Sequence, residues 1–188
     1  MQGNYDATNG IAIAPSITTS NNSQSVNAGS AITTATTTNS GGAVSSYTIS
    51  PALPSGVSMD GSGNISGTPT TVQSSTSYTI TATNGAGTAT SIFTLTVLIN
   101  STTATFANLS LAYYRQPTTL IITVNVPGKV TFKHQGKNIV GCIKVPTVTS
   151  STITATCSWK PSVKKYVSLT AVFVPTSAAY ATSNAAAI

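Results

Sequence analysis

Cys142 and Cys157 are the residues whose type and spacing most directly suggest chemistry. They flank Pro146–Ser151, and their midpoint falls at positions 149–150. A hairpin turning there sets the two side chains opposite each other, close enough to bond. A cross-strand disulfide implies an oxidising location, and its short loop implies stabilisation at the modest end of about 2–4 kcal/mol. The alternative is two buried free thiols. The next candidates are basic. Lys129 and Lys133 share one strand face, Lys137 and Lys144 lie on the neighbouring stretch, and Lys160, Lys164 and Lys165 fall in the turn Trp159–Tyr166. Such a surface could bind anionic glycans, lipopolysaccharide or teichoic acid. The plainer reading is that these lysines supply solubility and discourage edge pairing. Nucleic acid is not an expected partner, because no aromatic platform interleaves with the bases. Tyr113 and Tyr114, beside Arg115, could stack a sugar ring or simply anchor the start of a domain. Trp159 reads as core, and His134, continuing the Val130/Phe132 face, receives no function.

Most other chemistry is closed to this composition. The 188 residues hold 8 Lys+Arg, 2 Asp+Glu and 1 His, so 5% are charged. An ordinary soluble domain has roughly 25%. Asp6 and Asp60 are the only acids, which leaves little for paired-carboxylate catalysis or for a calcium cage. A Ser/His/Asp triad would need His134, and no carboxylate lies near it in sequence. Two cysteines and one histidine fall short of a structural zinc site. The expectation is a non-enzyme with no cofactor and no metal.

The elements that must position these residues are strands. Tyr78, Ile80 and Ala82 alternate with Thr79, Thr81 and Thr83, and Phe93, Leu95 and Val97 alternate with Thr94 and Thr96. Val130 and Phe132 alternate with Lys129, Thr131 and Lys133, and Val167, Leu169, Ala171 and Phe173 with Tyr166, Ser168, Thr170 and Val172. Period 2 with one apolar face predicts half-buried antiparallel strands, and no stretch shows a helical period. The 26 Ser and 35 Thr fit outer strand faces that need no charge. Asn84-Gly85, Pro127-Gly128 and Gln135-Gly136 mark turns at sandwich-like spacing. Both acids precede residue 61 and all eight bases follow residue 114. With the Asn/Ser/Thr stretch Ile99–Thr105, this split places a domain boundary near residue 101. The predicted class is all-β: two tandem antiparallel sandwiches joined by a short linker, spanning 14–100 and 101–188. No apolar stretch approaches the twenty residues of a transmembrane helix, and the first residues lack the basic and apolar regions of a signal peptide.

Two resemblances follow from quoted residues. Pro51-Ala52-Leu53-Pro54-Ser55-Gly56-Val57, then Gly63-Asn64-Ile65-Ser66-Gly67-Thr68-Pro69-Thr70, then Tyr78-Thr79-Ile80-Thr81-Ala82-Thr83-Asn84 resemble the Ig-like (cadherin-like) repeat of bacterial surface proteins over roughly Ala14–Leu98. Gly128-Lys129-Val130-Thr131-Phe132, Gly136-Lys137 and Ser168-Leu169-Thr170-Ala171-Val172-Phe173, followed by Pro175-Thr176 and Tyr180, resemble the group 3 bacterial Ig-like repeat. Both resemblances imply small sandwiches that serve as spacers or adhesive modules, and neither supplies catalytic residues. The second domain has no acid to catalyse an intramolecular isopeptide bond, so none is expected there.

The chain ends repeat one another. Tyr5, Asn9, Ala12 and Ile13 coincide with Tyr180, Asn184, Ala187 and Ile188 at an offset of 175 residues. Residues 1–13 therefore read as a strand from the tail of a preceding copy of the second domain, in a longer array. Neighbouring Ig-like repeats would then be partners. The leading expectation is a non-catalytic stalk or adhesion segment at a cell surface or outside the cell. The alternatives are a phage virion decoration or fibre protein and a strand-donating filament subunit.

Overall fold

The computed structural model describes residues 12–107, 114–162 and 168–187. They contain strands and no helix, in two compact units spanning 1–99 and 100–188. The first unit comprises β1 (Ile17–Thr19), β2 (Ser23–Asn27), β3 (Thr37–Asn39), β4 (Ser46–Ser50), β5 (Val57–Met59), β6 (Ile65–Gly67), β7 (Gln73–Asn84) and β8 (Gly87–Leu98). One sheet has the order β2-β8-β7-β4, with β2 parallel to β8. The pairs β1-β3 and β5-β6 supply the rest, and an Ala35–Ile65 bridge extends the β5-β6 pair. The alternation along β7 and β8 is the cause of the layering. Tyr78, Ile80, Ala82, Phe93, Leu95 and Val97 are buried, while the intervening threonines face outward.

The glycine-rich motif of this unit is a packing device. Thr68 N–H donates to the Gly56 carbonyl at 2.7 Å, and Ile32 N–H donates to the Gly67 carbonyl at 2.9 Å. Gly56 and Gly67 have φ of 88° and 132°, and a Cβ on either would overlap the other's segment. Only glycine combines that backbone with so close an approach. Asn84, the last residue of the motif, is 9% exposed and uses both ends of its amide. Its Nδ2 donates to the Ile13 and Ala43 carbonyls, and its Oδ1 accepts from Ala86 and Gly87 N–H. One side chain thus closes the β7–β8 hairpin and ties two other segments to it.

The second unit is a sandwich of two sheets. Its strands are β9 (Ala104–Phe106), β10 (Thr118–Val124), β11 (Gly128–His134), β12 (Lys137–Asn138), β13 (Val145–Pro146), β14 (Val148–Thr149), β15 (Ile153–Trp159), β16 (Leu169–Pro175) and β17 (Ser183–Ala187). One sheet runs β14-β15-β10-β9; the other runs β12-β11-β16-β17, with β13 also on β11. Leu120, Ile122, Val130, Phe132, Leu169, Ala171 and Phe173 form the core between them. Gln135 and Gly136, with φ of 48° and 77°, make the two-residue turn that joins β11 to β12.

The hairpin expected between the cysteines is different in detail. β14 and β15 do form a hairpin, but its register pairs Val148 with Thr154 and Thr149 with Ile153. Extended, that register would leave the cysteines offset, and it stops at Val148 because β13 pairs with β11 in the other sheet. Gly128 and Thr147 secure the crossing by exchanging two hydrogen bonds. Cys142 and Cys157 are disulfide-bonded with Cα atoms 5.7 Å apart. Cys142 adjoins β11, accepting from Phe132 N–H, while Cys157 sits on β15 opposite Leu120. The bond therefore joins the two sheets rather than two arms of one hairpin.

Candidate functional site

The inward face of β11 runs Val130, Phe132, His134, and that of β15 runs Ala155, Cys157, Trp159. The first residues of each series fill the core, and the last ones emerge at the end of the sandwich. There the His134 and Trp159 rings meet, with centroids 5.2 Å apart and planes inclined by 42°. Beyond them opens a cleft of about 450 Å³, lined by His134, Lys137, Asn138, Val140, Trp159 and Lys160 among others. That volume lies within the range of small-ligand sites.

Each wall has a local cause. Lys137 stands opposite His134 across the two-residue turn, and opposed antiparallel residues share a face. Ile139, Val140, Gly141 and Cys142 form a β-turn closed by a 3.0 Å bond from Cys142 N–H to the Ile139 carbonyl. Gly141 has φ of 80°, as the third position of a type II turn requires. Ile139 and Cys142 are buried, so Val140 at the apex is 93% exposed. The disulfide at Cys142 and the bonds of Phe132 with Ile139 and Cys142 hold that apex in place. His134 Nε2 is buried and has no hydrogen-bond partner among the described residues.

The sequence-derived lysines among the described residues separate into two groups. Lys129 and Lys133 lie on the outer face of β11 with Thr131 between them, and Lys144 joins that face through its N–H, which donates to Thr131 Oγ1 at 3.1 Å. Lys137 and Lys160 belong to the cleft instead. Lys164, Lys165 and Tyr113 lie outside the described residues. Tyr114 is half-buried, with the Arg115 guanidinium carbon 5.0 Å from its ring centroid, so its neighbour competes with a sugar for that ring face. The reading of residues 1–13 as a preceding repeat's strand falls almost wholly outside the described residues. Sequence reasoning missed the pairing of His134 with Trp159. The signal was that both continue an apolar alternation past its end, but no local pattern says that strands of different sheets finish side by side.

Asp60 is the one acid among the described residues, and it is engaged locally. Its Oδ1 accepts from Ser62 and Asn64 N–H, and its Oδ2 from Asn64 Nδ2. The bonds from Asn64 hold its carboxyl below the ordinary value of 3.8. Among the described residues no group of three or more His, Cys, Asp and Glu gathers to hold a metal ion. No described helix is long and apolar enough to cross a membrane.

Residues 11–98 match the family described as "Putative Ig domain". The chain is all-β, two compact units in tandem, and the matched stretch lies in the first of them. Among solved structures, titin domains Z1Z2 in complex with telethonin are 21% identical, cover 90% of this chain and 94% of their own, and give a TM-score of 0.41. The N-terminal four Ig domains of Dscam1 isoform 9.44 are 17% identical, cover 93% of this chain and 44% of theirs, and give a TM-score of 0.43. No curated protein matches the chain.

Proposed function

We propose that this chain is a non-catalytic stalk and adhesion module of an extracellular protein, in which tandem Ig-like sandwiches space and present a binding surface. The observation that carries this reading is the Cys142–Cys157 bond between the sheets of the second unit, next to a first unit that matches an Ig family. A disulfide of this kind persists in oxidising surroundings. The second unit stands as a repeat of the group 3 bacterial kind, and the 175-residue offset between the chain ends supports an array of such pairs. The second unit has no acidic residue, so the surface it presents is basic and its natural counterpart is an anionic glycan or envelope polymer.

Immunogold labelling of intact source cells, with antibody raised against the purified chain, tests this placement. Gold on the outer surface is expected, with the cysteines oxidised in protein recovered from it. Gold confined to the cell interior, with free thiols, would overturn the reading. Gold on virus particles alone would keep the module reading and move it to a virion.

A further inference from the structure

We infer that the His134–Trp159 cleft binds an acidic saccharide, a sugar unit bearing a carboxylate, with Trp159 as the stacking wall and Lys137 and Lys160 as the charge partners. This rests on the adhesion reading above and assigns it to one site. Three observations converge on this ligand class. The first is shape. The cleft is open and of small-ligand size, and it lies at the end of the sandwich, where a chain of sugars can pass through without being enclosed.

The second observation is the distribution of apolar surface. Trp159 is half-buried, packs against the core and is also among the residues lining the cleft, and the 93% exposed Val140 lines the same cleft. A pyranose presents C–H groups on one face and hydroxyls at its edge. It therefore suits an aromatic wall with an aliphatic neighbour and the amide of Asn138 within the same lining. Packing against His134 sets the tilt of the indole, and the disulfide-held turn sets the position of Val140. Both apolar walls are thus placed before a ligand arrives, which lowers the ordering cost of binding.

The third observation is charge. Lys137 and Lys160 both line the cleft, and residues 100–188 include no aspartate or glutamate to neutralise them. An uncompensated pair of ammonium groups beside an aromatic wall favours an anionic sugar over a neutral one. A single-stranded nucleic acid would share the charge requirement, but it is bound by successive stacking platforms, and this cleft has one tryptophan.

Trp159 is the sole tryptophan of the chain, so its fluorescence reports this site alone. The full chain, with its disulfide intact, is titrated with tetragalacturonate, with maltotetraose as the neutral control and with an oligo-dT. A saturable change in emission with tetragalacturonate, weakened by added salt and absent with maltotetraose, is expected. The K137Q/K160Q variant alters two exposed side chains and should bind about tenfold more weakly. Equal binding of maltotetraose, or tighter binding of oligo-dT, would overturn the inference. Binding seen by calorimetry without any change in Trp159 emission, and lost in K129Q/K133Q/K144Q, would also overturn it. That last result would leave the adhesion reading standing on the outer face of β11, whereas no binding of the acidic sugar by any measure would overturn the inference and leave the extracellular placement to the labelling experiment.

Discussion

Reduction of the Cys142–Cys157 bond should destabilise the second unit alone, by an amount set by the loop it closes. The cysteines are 15 residues apart in sequence. The entropy that such a cross-link removes from the unfolded chain corresponds to about 3 kcal/mol. That is a large share of the roughly 5–15 kcal/mol available to a domain. At about 4–8 °C per kcal/mol for a unit of this size, the midpoint should fall by roughly 12–24 °C. Differential scanning calorimetry, with and without a phosphine reductant, measures this directly. The first unit contains no cysteine, so its transition serves as the internal reference. The C142A/C157A variant should fall somewhat further, because Cys142 is fully buried and its sulfur packs in the core. A fall of less than about 4 °C would mean that the bond constrains little beyond what packing already enforces. A shift of both transitions together would refute the reasoning as well, because the effect would then not be confined to the unit whose loop is closed.

Three further outcomes are expected. Gly56→Ala should destabilise the first unit by about 3 kcal/mol in urea, since its φ of 88° disfavours a side chain and a Cβ would meet the Thr68 carbonyl; a neutral effect would show that the β5–β6 segment yields freely. His134→Phe should raise the stability of the second unit by about 1 kcal/mol, because it keeps a ring against Trp159 and removes a buried nitrogen without a partner. Destabilisation measured in the same urea experiment would mean that the nitrogen is satisfied in solution. Asp60 should titrate below 3.8 by NMR, and Asn64→Ala should move it back up towards that value. Because the folded value is the lower one, the stability Asp60 contributes is present above 3.8 and is lost as pH falls through the folded value. Asp60→Asn should flatten that part of the pH profile, and an unchanged profile would count against the bonds from Asn64.

Several features of the molecule were legible without any tertiary information. Alternation along Tyr78–Thr83 and Lys129–Lys133 predicts β7 and β11, because a strand shows its two faces at period 2 whatever it later packs against. Gln135-Gly136 predicts its turn for an equally local reason, since the backbone there needs positive φ. The pattern from Leu53 to Asn84 was recognisable as a motif, although its purpose, Gly56 against Gly67 and Asn84 bridging three segments, appears only in space.

The identities of the two cysteines and the all-β character thus came from the sequence by itself. Which sheets the disulfide joins was a tertiary matter. The chain from Val145 to Thr149 changes sheets within five residues, and hydrophobic alternation cannot register that change, because both sheets bury the same core. The same blindness hid the cleft. His134 and Trp159 each read as the last member of an apolar series, and each is just that along its own strand. Only the packing of one sheet on the other brings the two series to an end at the same place. There the core runs out, a ring of each strand is left half-covered, and the lysines that follow them belong to a stretch of sequence without an aspartate or glutamate.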